Sequence, residues 1–183
     1  MNKIKSFKDY NKLNQDKKYG YGCSMIYFDF PEISEIHSQI DESHLYTEDG
    51  PIPYGLETEP HTTLLYGLHS DEIDDNDVID ASLRNPIPEK IVLHNASLFQ
   101  NDKFDVLKFD IKNQELHKIN SELKKFPYTS DFPDYHPHST IGYFQKGLAN
   151  QYMKSLEGKI FEVNPSKIVY SKPNGDKVTK DIK

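Results

Sequence analysis

Pro60-His61-Thr62-Thr63-Leu64-Leu65-Tyr66-Gly67 and Pro137-His138-Ser139-Thr140-Ile141-Gly142-Tyr143-Phe144 repeat one pattern. In each, a Pro precedes a His, a Thr follows two places on, and a Tyr stands five places after the His. β-Branched and aromatic residues dominate both runs, so both read as strands. Side chains alternate faces along a strand. His61 and Thr63 therefore share one face, as do His138 and Thr140. Two such strands laid side by side aim two imidazoles and two hydroxyls into one space.

That set suits a phosphodiester. Imidazole changes charge near neutral pH. A neutral ring can take a proton from an attacking hydroxyl, and a protonated one can give a proton to the leaving oxygen. The Thr hydroxyls can donate to the non-bridging oxygens, where charge builds up. Neither a metal nor a cofactor is called for. One His-x-Thr is common by chance; two copies, each after Pro and each leading to Tyr, are far more specific.

On these residues the chain resembles the 2H phosphoesterase superfamily, the LigT-like group with two His-x-Thr/Ser motifs. The resemblance runs from about Gly20 to about Tyr170. It implies an α+β, bilobed fold: two antiparallel sheets around a central cleft, helices outside, and an approximate two-fold relating the motif strands. It implies catalytic roles for His61, Thr63, His138 and Thr140, and no cofactor. The group includes phage nucleases that destroy cyclic-oligonucleotide alarm signals (anti-CBASS enzymes). The expected activity is therefore cleavage of 3'-5' or 2'-5' bonds in a cyclic oligonucleotide or dinucleotide. The alternative is an RNA 2',3'-cyclic phosphodiesterase or 2'-5' RNA ligase-like enzyme acting on RNA ends. A third reading is a non-catalytic member that sequesters a nucleotide.

Composition narrows the partners. The 183 residues carry a formal charge of -7, so a long nucleic acid lacks a basic track to lie on. A small nucleotide held in a pocket does not need one. Cys23 is the only cysteine, which rules out an intramolecular disulfide and favours a reducing compartment. No apolar run is long enough to span a bilayer and no signal-peptide core follows the start. The expectation is a cytoplasmic protein with no membrane partner. Lysines crowd residues 1–18, read as a basic arm, and residues 19–183 read as a single bilobed domain.

The rest of the chain alternates strand and helix patterns. Gly20–Phe30 reads as a strand, and Pro31 opens a helix over Ile33, Ile36 and Ile40. His37 falls on that helix and His94 on a later strand, both read as structural. Asp71, Glu72, Asp74, Asp75 and Asp77 suit the first turn of a helix better than a cation site. Residues 90–98 and 103–111 read as a hairpin, and residues 113–126 as an amphipathic helix capped by Asn113. Residues 159–163 and 167–171 read as two separate strands. His61, His136 and His138 offer nitrogen ligands for zinc, but that leaves both Thr residues unexplained, so no metal site is assigned.

Two irregular stretches, residues 41–60 and 126–137, each run directly into a motif strand. They carry Tyr46, Tyr54, Tyr128, Phe132 and Tyr135. Aromatic faces stack on bases, so Tyr46, Tyr54 and Tyr135 are assigned to substrate binding. Phe144 sits an even number of residues from His138 and is assigned to the cleft wall. Tyr66 and Tyr143 sit an odd number away and are read as packed under helices, unless Gly67 or Gly142 marks a bulge.

Overall fold

The computed structural model describes residues 20–49, 54–132 and 134–182. The basic arm over residues 1–18 lies outside them. The chain forms β1 (Tyr21–Asp29), α1 (Ile33–Ser38), β2 (His61–His69), α2 (Asp75–Leu83), β3 (Ile91–Gln100), β4 (Phe104–Ile111), α3 (Gln114–Leu123), β5 (His138–Gln145), α4 (Asn150–Ser155), β6 (Phe161–Ser171) and β7 (Lys177–Asp181). The strands run in the order β2-β1-β6-β3-β4-β5, with β7 added beside β6, and all pairings are antiparallel.

β6 joins two halves. Its first residues, Phe161–Val163, pair with β3, whereas Asn164–Ser171 pair with β1. This corrects the expectation of two separate strands there. Pro165 cannot donate to a ladder, and it is accommodated at a register shift between Tyr27 and Phe28 rather than ending the strand. β2 and β5 lie at opposite ends of the strand order, yet their Cα atoms come within 8 Å of each other. The sheet therefore folds back on itself around a cleft, and the two motif strands meet.

The helices cover the outside. α3 buries Leu116, Ile119, Asn120 and Leu123, the i, i+3, i+4, i+7 stripe of an amphipathic helix. The Asn113 side chain caps it by accepting from the Leu116 amide at 3.0 Å. α2 lies against α3 and against β1, β6 and β7, and Asp74 caps its start. Fully buried Leu64, Leu107, Phe109, Ile119 and Tyr170 belong to one continuous core between helices and sheet. On the opposite, cleft-facing side, Met25, Tyr27 and Val169 form a small separate cluster.

The two halves are crossed. α1 precedes β2 in sequence but bonds to β5, through the His37 ring and the Ile141 carbonyl oxygen at 3.1 Å. α3 precedes β5 but packs on β2, where the Asn120 amide donates to the Leu64 carbonyl oxygen at 2.6 Å. The irregular stretches cross in the same way. Tyr46 and Glu57 amides bond to Tyr143 and Ile141 on β5, and Thr129 bonds to Gly67 on β2. Each aromatic stretch thus covers the free edge of the other motif strand, satisfying backbone groups that an edge leaves open.

Candidate active site

Each motif strand carries a bulge at the same place. In β2, Thr63 pairs with Met25 and Leu65 with Ser24, leaving Leu64 out of register. In β5, Thr140 pairs with Lys108 and Gly142 with Leu107, leaving Ile141 out. A bulge adds one residue and so turns the following side chains to the other face. The carbonyls at these two bulges are the ones that Asn120 and His37 bind. Thus the helix crossings and the bulges are one device, used twice.

The four motif side chains share the cleft-facing surface. His61, Thr63, His138 and Thr140 are each partly exposed, while the intervening Thr62 and Ser139 are buried. The imidazoles are oriented alike. His61 Nδ1 lies 2.7 Å from the Glu59 carbonyl oxygen, and His138 Nδ1 lies 2.8 Å from that of His136. A carbonyl can only accept, so both Nδ1 atoms carry hydrogen and both Nε2 atoms are left for chemistry. Glu57 stands 3.8 Å from His61 Nδ1.

What lies beneath the two histidines differs. His61 stacks on Tyr27 with ring centroids 5.4 Å apart, over the apolar Met25–Val169 floor. Cys23 Sγ lies 3.9 Å from Thr63 Oγ1 there, and burial pushes its thiol up to about 12. His138 meets Phe99 edge-on at 4.9 Å, over a polar floor. Lys108 is buried and donates to Asp110 and to Ser97 Oγ, the latter at 2.7 Å. Its ammonium sits 4.3 Å from the Phe99 ring centre. Asp110 also accepts from Asn95 at 2.5 Å and Ser97 at 2.9 Å. Burial raises the Asp110 carboxyl, but these hydrogen bonds outweigh it and hold the group below the usual carboxylate range. Burial drives His138 below the usual histidine range; the bond to His136 opposes this, and the charges of Lys108 and His61 add to it.

The bulges correct two sequence expectations. Phe144 does not wall the cleft: it is fully buried and packs on Tyr152, 5.2 Å between centroids. Tyr143 takes the cleft-facing place instead, paired with Val106 two residues from Lys108. Tyr66 likewise pairs with Cys23, on the His61 side, and is 53% exposed rather than packed under a helix. Sequence reading packed both tyrosines under helices unless Gly67 or Gly142 marked a bulge, and it missed Tyr27, Phe99 and Lys108. The signal for Tyr66 and Tyr143 was two consecutive non-polar residues, Leu64-Leu65 and Ile141-Gly142, breaking the alternation.

Tyr46 and Tyr54 sit beside Tyr143. With Phe104 they form a four-ring cluster whose centroids are 4.9–5.7 Å apart. Tyr135, assigned to substrate binding from sequence, is instead an anchor: its hydroxyl donates to the Thr63 carbonyl oxygen at 2.9 Å and its ring meets His117 edge-on. Among the described residues no group of three His, Cys, Asp or Glu side chains is placed to hold a metal ion. No described helix is long and apolar enough to cross a membrane.

The folded-back antiparallel sheet with outer helices is a fold shared with solved structures at low identity. The solved structures similar to this chain include Kluyveromyces marxianus Usb1, with a TM-score of 0.53 at 10% identity over 88% of this chain and 98% of that one. The same protein with uridine monophosphate gives 0.55 at 8% identity, with the same coverage. E. coli LigT complexed with 3'-AMP gives 0.47 at 15% identity, over 89% of this chain and 96% of that one. No protein-family model matches the sequence, and no curated protein does.

Proposed function

We propose that this protein is a metal-independent phosphodiesterase whose His61 and His138 serve as an acid–base pair and whose Thr63 and Thr140 hold the phosphate. The observation that carries the reading is the mirrored geometry: two imidazoles with Nδ1 anchored on a backbone carbonyl and Nε2 left for the substrate. A neutral ring takes a proton from the attacking hydroxyl while a charged ring gives one to the leaving oxygen. The Thr hydroxyls donate to the non-bridging oxygens. Attack by a ribose 2'-hydroxyl leaves a cyclic phosphate; attack by water completes hydrolysis.

The substrate class we assign is a cyclic oligonucleotide or dinucleotide of the anti-phage alarm type, which makes the protein a counter-defence enzyme. Support comes from the cluster of Tyr46, Tyr54, Phe104 and Tyr143 at one end of the cleft and the exposed Tyr66 at the other motif strand. Stacking contributes roughly 1–3 kcal/mol per base. It holds a compact ligand without a basic track, in keeping with the charge of -7. A second reading, processing of RNA ends, is favoured by the fold shared with Usb1, which has been crystallised with uridine monophosphate. A competition separates the two. Cyclic dinucleotides and trinucleotides are mixed with a linear RNA ending in a 2',3'-cyclic phosphate, and products are read by mass spectrometry. Faster loss of a cyclic ligand supports the first reading. Faster processing of the linear end moves the protein to RNA-end chemistry, and tight binding of a nucleotide without turnover makes it a sponge.

A further inference from the structure

The two-fold that relates the motif strands also relates the residues beneath them, and there the symmetry fails. Met25 pairs with Thr63 across β1 and β2, and Lys108 pairs with Thr140 across β4 and β5. Tyr27 opposite His61 corresponds to Asp110 opposite His138. One half has Met25 and Tyr27; the other has, at the same positions, an ion pair whose lysine is buried and whose aspartate is half-buried.

A lysine 5% exposed is costly to keep charged unless its ammonium is satisfied. Here it is satisfied completely. Two of its hydrogens meet Asp110 and Ser97, and the Phe99 ring takes the remaining direction. None of those contacts is with Thr140 or His138. Lys108 therefore acts on the site as a fixed charge rather than as a hand on the substrate. We propose that Lys108, balanced by Asp110, sets the direction in which the site runs, making His138 the imidazole that accepts the first proton and His61 the one that donates the second. This rests on the acid–base reading above.

The groups that face His138 support this. β4 presents Lys108 and Asp110, and His94 lies opposite Asp110 on β3. β3 otherwise offers the uncharged Ser97 and Phe99. β2 presents His61, and His136 precedes on the same chain, its carbonyl holding Nδ1. Burial disfavours an imidazolium at His138 and Lys108 adds to that, with Asp110 acting in the opposite sense. On the other side the cations stand off behind Tyr27, the ring His61 stacks on: Lys167 and Lys177 lie 5.1 and 5.5 Å from its centre, Glu59 takes Lys177 at 2.7 Å, and Glu57 stands 3.8 Å from His61 Nδ1. In the step that follows, neutral His138 takes the hydroxyl proton at Nε2 and the attacking oxygen bonds to phosphorus. The bond to the leaving oxygen breaks with its electron pair. The His61 imidazolium supplies the proton from Nε2, so one proton enters the protein and one leaves it.

The test uses Lys108→Met, which copies the Met25 half, and Asp110→Asn, which keeps the shape. Two readouts are taken on the full chain: the pH profile of kcat/KM and the NMR titration of the His138 ring. Removing the lysine charge raises the pH at which His138 takes up a proton, so the acid limb moves up by about 1 unit. Removing the aspartate charge moves it down. Lys108→Arg keeps the charge and leaves the limb near its wild-type position. A purely structural role cannot give opposite shifts in the two variants. If Lys108→Met does not fold, the downward shift in Asp110→Asn decides alone. The inference is overturned if neither His138 titration moves, or if the basic limb moves in place of the acid one. If His138 titrates as described but no phosphodiester is cleaved, the proposed function fails and this assignment of charge survives. Normal turnover with unmoved limbs reverses that outcome.

Discussion

Asn120→Leu tests how the helices shape the motif strands. Asn120 is 4% exposed, and its amide donates to the Leu64 carbonyl at the β2 bulge, 2.6 Å away. Leucine has similar bulk but cannot donate. The backbone carbonyl stays buried beneath α3 and loses its partner, which costs about 1–3 kcal/mol. In a domain of this size, each kcal/mol lowers the melting temperature by about 2–4 °C, so the expected fall is roughly 2–12 °C. Urea unfolding should show the same loss as a lower midpoint with an unchanged slope. The bulge is also what turns Tyr66 to the cleft side, so nucleotide affinity should fall along with stability. Asn120→Asp should be worse, because it sets a carboxylate oxygen against the carbonyl. A midpoint within about 0.5 kcal/mol of wild type for Asn120→Leu would refute the reasoning, since that is the range of an ordinary surface change.

Further outcomes follow from the same geometry. Gly67→Ala should destabilise by more than the roughly 1–3 kcal/mol of a strained backbone. Gly67 has φ +95, and an added Cβ would stand 1.9 Å from the Thr129 carbonyl oxygen; an unchanged thermal midpoint would show that the edge cover yields freely. Thr63→Ala and Thr140→Ala should each lower kcat on the order of 10²-fold, as for a lost oxyanion donor, with the fold unchanged by circular dichroism. Tyr143→Ala should raise KM for a nucleotide more than it lowers kcat, because stacking binds ground and transition states alike. A kcat effect alone would place Tyr143 in the chemistry instead.

The architecture was legible because each motif strand, helix and irregular stretch announces itself locally. Asn113 caps α3 where the pattern put it, and Asp75 and Asp77 lie in the first turn of α2. Face assignments beyond the bulges were not legible. Alternation puts Phe144 in the cleft and Tyr143 outside it, and one bulged residue, Ile141, reverses both. Ile141-Gly142 marks the break locally, but the groups that bind the bulged carbonyl, the His37 ring and the Glu57 amide, come from far earlier in the chain, so the pattern around the motif does not show what holds the bulge. Lys108 was hidden for a similar reason. In sequence it is an ordinary strand lysine; only its pairing with Thr140 and its burial beside Asp110 give it a place under the site. The break read between residues 159–163 and 167–171 is bridged instead, because Pro165 falls at a register shift where the two halves join.

The paired histidines carry the whole account, so the most direct measurement is turnover in their absence. EDTA-treated wild type, His61→Ala and His138→Ala are each incubated with a panel of cyclic and linear oligonucleotides, and initial rates are read by mass spectrometry. The account predicts that the wild type keeps its activity without added metal and that each variant loses roughly 10²–10⁴-fold or more. Near-normal turnover by either variant, or restoration of the wild type only by a divalent ion, would contradict it.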